Sequence, residues 1–138
     1  MSRAQRGFTL VEMMVTLLVM GVALAAVLQA NGKIAQSSQS FYQRAVAMQD
    51  ANQVLERIRN TASGGTFPSN VTAAFPHNGA VGGFSALPSE TVRVVYTDRN
   101  GDGNALTDNP LDVTVTINYL ENGRNASTAS LRSLVTQR

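Results

Sequence analysis

Apolar residues crowd one end of this chain and then thin into periodic patterns. From residue 8 to residue 28 the sequence FTLVEMMVTLLVMGVALAAVL carries one charge, Glu12, and no proline. A helix of that length rises roughly 30 Å, the thickness of a bilayer's hydrocarbon core. Beyond Gln29 polar residues enter, yet Ile34, Phe41, Ala45, Met48, Ala51, Leu55 and Ile58 recur three, four or seven positions apart. That spacing is one stripe of a 3.6-residue helix. Gln43, Arg44, Asp50, Gln53 and Arg57 stand opposite, and Asn31-Gly32 is a weak point between the two halves. The pattern stops at residues 59–65, RNTASGG, where basic residues fill the last turn and glycines follow. The spacing predicts one helix over residues 8–62, with a membrane half and a half that docks on a globular domain.

Residues 63–89 are rich in Gly, Pro, Ser, Asn and Ala and show no period, so they read as a loop. Phe67, Phe75, Phe84 and Leu87 are spaced within it as anchors onto a core. Strand patterns come next. Residues 91–97, TVRVVYT, are β-branched and roughly alternating. Leu111, Val113, Val115, Ile117 and Tyr119 alternate with Asp112, Thr114, Thr116 and Asn118, which predicts one buried face and one wet face. Asn122-Gly123 is a hairpin turn pair, and a last strand over residues 126–135 has Leu131 and Leu134 as its largest apolar residues. The expected fold class is α+β: a long N-terminal helix, its first half transmembrane, packed on a small antiparallel sheet. The sheet needs the helix, because three strands alone bury too little.

The 138 residues suit one small domain and an anchor. The absence of cysteine excludes disulfides, thiolate metal sites and cysteine nucleophiles. The formal charge of +2 belongs to the first seven residues: without Arg3 and Arg6, 11 basic residues become 9, against 9 acids. No nucleic-acid partner is implied by this charge. Nothing in the pattern assembles a catalytic group, so the chain is not expected to be an enzyme. His77, the single histidine, stands alone in the loop and reads as inert.

Glu12 breaks the apolar run. A carboxylate inside such a span is costly without a partner, so an intramembrane acid is a functional hypothesis in itself. The span offers no cation. A cut after Gly7 would create one, an α-amino group on Phe8, one helical turn from Glu12 or beside the Glu12 of a neighbouring copy. Arg3 and Arg6 precede the span and favour a cytoplasmic N-terminus, with the rest of the chain exported.

The stretch Arg6-Gly7-Phe8-Thr9-Leu10-Val11-Glu12 and the apolar residues after it resemble the class III signal of type IV pilins and type II secretion pseudopilins. The resemblance implies cleavage by a prepilin peptidase between Gly7 and Phe8, N-methylation of Phe8, and assembly with other pilin or pseudopilin subunits in which Glu12 takes part. It implies a leader over residues 1–7, an inner-membrane and filament-core helix over 8–30, and an exported head over 31–138. Residues 41–59 also resemble minor pilins of the V type and minor pseudopilins of the I type. Major pilins often have a proline about fifteen residues after the phenylalanine; none stands here, which leans toward a minor subunit. The filament could be a pilus, a secretion pseudopilus or a DNA-uptake filament. Two readings compete. One is an ordinary signal peptide cut at Ala23-Leu24-Ala25; the other is a plain anchor. Either would leave a periplasmic module that binds calcium or another ligand.

Calcium enters through residues 98–108, DRNGDGNALTD. Asp98, Asn100 and Asp102 fall on the first, third and fifth slots of a calcium loop, with Gly103 at its sharp turn. Asn104 offers a backbone carbonyl. Asn109 stands where the usual glutamate would, and Asp108 is its substitute. The alternative is a glycine-rich connection held by Asx turns. Major pseudopilins bind calcium in a C-terminal loop, so the resemblance favours the metal.

Overall fold

The computed structural model describes residues 9–137. Helix α1 (Leu10–Ala62) is followed by a short helix α2 (Ser69–Ala74) and by strands β1 (Thr91–Thr97), β2 (Leu111–Glu121) and β3 (Asn125–Val135). The strands form one antiparallel sheet in the order β1-β2-β3. Two compact units divide the chain, one ending at Ser38 and the other beginning at Gln39.

In the second unit the helix packs on the sheet through Gln43, Ala47, Ala51, Val54, Leu55, Ile58 and Ala62. These residues follow the three- and four-residue spacing of a real helix. Ala47 and Ala51 on this face are fully buried. The sheet answers with Val92, Val94 and Tyr96 of β1, Leu111, Val113, Val115, Ile117 and Tyr119 of β2, and Ala129 and Val135 of β3. Register lines these up in rows: Val92 opposes Ile117, which opposes Ala129, and Val94 opposes Val115, which opposes Leu131.

The expected stripe is corrected at its upper end. Ile34 is 66% exposed, Phe41 71% exposed, and Ala45 is also on the surface. A seven-residue repeat drifts by about 20° per heptad around a straight helix, so residues spaced by sevens leave the buried face. Gln43, expected on the polar face, is buried instead. Its Oε1 accepts a hydrogen bond from Asn122 N of the hairpin turn at 3.0 Å, which replaces the water it gives up. Leu134 lies half exposed on the outer face of β3, while Leu131 packs toward the core.

The hairpin turn uses Asn122 and Gly123, both at positive φ (52° and 68°), as a type I′ turn requires. Glu121 pairs with Asn125, so the connection is three residues long, one more than the minimal turn. Residues 63–89 are not all loop, since α2 forms within them and buries Val71. Phe67, Phe75 and Phe84 pack against the core, and Leu87 is buried in it. Asn78 N donates to Val94 O and Val81 N to Val92 O, so this segment covers the outer edge of β1. His77 has a structural task there: its Nδ1 accepts from Tyr96 N at 3.2 Å. The Tyr96 hydroxyl donates to Phe75 O at 2.8 Å, and burial pushes its phenol up to about 12.

Candidate functional sites

The first site is the start of α1. Gly7 and Phe8 lie outside the described residues. Thr9 immediately precedes the helix, and its Oγ1 accepts from Glu12 N at 3.3 Å. A threonine followed three residues later by glutamate is the signature of a capping box, and the observed bond is one half of it. The Thr9-x-x-Glu12 spacing is the signal in the sequence for this cap, set at the head of an apolar run. Glu12 also stands in the first turn, where a negative charge complements the helix dipole. Among the described residues no cation is paired with its carboxylate. Every residue from Leu10 to Leu28 is exposed in the single chain, and α1 is long and apolar enough to cross a membrane.

The second site is the connection between β1 and β2. Asp98 sits just past β1, and its Oδ1 and Oδ2 accept from Gly101 N (2.7 Å) and Gly103 N (2.8 Å). Both glycines have positive φ, 78° and 86°, which turns their N–H groups inward. Asn100 Oδ1 accepts from Asp102 N, Asp102 Oδ1 from Asn104 N, and Asn104 Oδ1 from Leu106 N, a chain of Asx turns. Asp108 Oδ2 accepts from Arg99 N at 2.9 Å and ties the two ends of the loop together.

Of the five residues proposed from the sequence, three converge. Carboxylate oxygens of Asp98, Asp102 and Asp108 lie within 4.8 Å of one another. That is about the separation of two ligands across a calcium ion bound at 2.3–2.6 Å. Asn100 is occupied with Asp102, also donating Nδ2 to its Oδ2 at 3.0 Å, and the Asn104 carbonyl accepts from Thr107. Asp108 is only 4% exposed, and its Oδ1 is buried with no hydrogen-bond partner. An orphaned buried carboxylate oxygen beside two further carboxylates is an arrangement that a cation relieves. The donor set therefore fits a hard divalent ion.

Two polar pairs of the head are set by tertiary packing and have no local sequence signal. Asp112 was expected on the wet face and does point outward, yet it is only 3% exposed. Arg132 covers it, with Nε donating to Oδ1 at 2.7 Å and Nη2 to Oδ2. That bidentate pairing holds the Asp112 carboxyl below its usual range, with the field of Arg99 adding to it. The other pair is Asp50 on α1 and Glu90 just before β1.

Residues 2–28 match the family model described as the prokaryotic N-terminal methylation motif. No curated protein and no solved structure matches the chain. The match takes in residues 2–7 of the expected leader, the expected processing point, Glu12 and the apolar run, and stops where the polar part of α1 begins.

Proposed function

We propose that this chain is a pilin-like structural subunit, made with a short leader, held in the inner membrane by the first half of α1, and built into a filament through that helix. The observation that carries the reading is the methylation motif at residues 2–28, joined directly to a membrane-length apolar helix that ends on an α+β head. In this reading the leader is cut after Gly7 and Phe8 is N-methylated by a prepilin peptidase. The partners are other pilin or pseudopilin subunits, and the head is exported. A minor subunit is favoured by the missing proline in the apolar run.

Glu12 has a definite part in this scheme. In the membrane its carboxylate needs a cation at the same depth. The processed α-amine of Phe8 on a neighbouring subunit supplies one, and pairing sets the axial register of the incoming helix. Glu12→Ala removes an unpaired acid from lipid, so the variant inserts and is cleaved at least as well as the native chain. It then enters the filament poorly or not at all. Glu12→Asp keeps the charge, shortens the reach and is partly defective. Membrane and sheared-filament fractions of the three proteins, or co-purification with partner pilins, measure this. Incorporation of Glu12→Ala at the native level would remove the acid from the assembly mechanism.

The head binds calcium in this reading, held by Asp98, Asp102 and Asp108. The orphaned Asp108 Oδ1 is the specific support. The ion would neutralise three converging carboxylates and stiffen the connection between β1 and β2.

A further inference from the structure

The side chains of Asp50 on α1 and of Glu90, just before β1, lie within hydrogen-bond reach of each other. Asp50 Oδ2 and Glu90 Oε1 are both buried and have no conventional hydrogen-bond donor. The other Glu90 oxygen, Oε2, accepts from Leu87 N at 3.1 Å. Leu87 is itself in the core, and the neighbouring Pro88 O accepts from Leu120 N of β2 at 2.8 Å. Glu90 is thus stitched into the sheet side of the seam between α1 and the sheet, and Asp50 belongs to the helix side.

Among the described residues no ion pair involves Asp50 or Glu90. One turn away from Asp50 in either direction stand Val46, Ala47, Gln53 and Val54, none of them charged. Arg57, further along α1, holds its guanidinium 5.0 Å over the Phe84 ring. Arg93 of β1 donates to Asn78 O. Glu121, the acid at the end of β2, accepts from Ser127 and is held down by hydrogen bonds from Ser40 and Ser127 and by Arg44. Two buried carboxyl oxygens that face each other without a cation are tolerable when one carries a proton and donates to the other.

We propose that Asp50 and Glu90 share a proton across this seam, forming a clasp between helix and sheet that holds in acid and loosens as the solution becomes alkaline. The proton resides on Glu90, whose carboxyl is pushed up first by burial and then by the charge of Asp50, against the opposing pull of the Leu87 N–H. A carboxyl raised in the folded state stabilises fully below its unfolded value and loses that contribution as pH climbs through the folded value. When the proton leaves to solvent, two carboxylates oppose each other across the seam.

The test is thermal melting of the full-length protein in detergent micelles from about pH 4 to about pH 8, for the native chain, Glu90→Gln and Asp50→Asn. Glu90→Gln keeps a donor and removes the charge. Each variant should melt several degrees above the native chain at the alkaline end, and the gap should close toward the acid end. The differences are taken between proteins at each pH, so other titrating groups cancel. A gap that stays constant across the range in either variant overturns the proposal. Should Glu90→Gln not fold, Asp50→Asn alone decides it by the same criterion.

Discussion

Asp112 illustrates how a residue's face and its burial can part company. Alternation along β2 correctly sends it outward, away from the core. The ladder then sets Thr114 opposite Arg132, so that the guanidinium reaches back over Asp112 from a strand twenty residues later. Periodicity could not reveal this, because the partner is set by register and not by local spacing. The same holds for Gln43, whose partner Asn122 lies 79 residues away. Asp112 carries a pH prediction. Its folded value is lowered, so it stabilises the head above its unfolded value and loses that contribution as pH falls through the folded one. In Arg132→Ala the Asp112 carboxylate loses both its cation and the side chain that covers it. That variant should melt below the native protein at neutral pH, and the deficit should shrink as acid protonates Asp112. A deficit independent of pH would mean that Arg132 acts by packing alone.

At the scale of elements, the strands and the end of α1 were legible because their patterns are local. The first strand falls on the observed residues, and the helix ends at Ala62, just before Ser63 and the Gly64-Gly65 pair. The docked face of α1 was only half legible. A seven-residue echo at Ile34 and Phe41 resembles the true stripe but rotates out of contact, whereas Ala47, Val54 and Ile58 stay on the sheet. The β1–β2 connection was legible in composition, and three-dimensional convergence separates its acids from its amides: Asp98, Asp102 and Asp108 gather, while Asn100 and Asn104 serve the turns. Calcium at a hundredfold excess over Kd should add about 2.7 kcal/mol of stability to a native state that alone binds it. The full-length protein in detergent should therefore melt higher with calcium than with chelator. Asp98→Ala combined with Asp102→Ala should abolish the difference. Melting that ignores calcium in the native protein would reduce this connection to an ordinary series of Asx turns.

For the whole molecule, an N-terminal stretch that matches the prokaryotic methylation motif precedes an α+β head, and no solved structure matches the chain. The head's own core, from Ala47 to Val135, explains how α1 can serve two environments. Its second half is satisfied by the sheet, while its first half exposes apolar side chains all round and needs lipid or other helices. Mass spectrometry of the protein recovered from membranes of a host with a prepilin peptidase tests that division most directly. The expected mature chain begins with N-methylated Phe8, and a Gly7→Val variant should retain the leader, because a side chain at Gly7 would crowd the bond to be cut. A native chain beginning near Ala26, after Ala23-Leu24-Ala25, would contradict this processing, and so would an unprocessed chain still carrying residues 1–7.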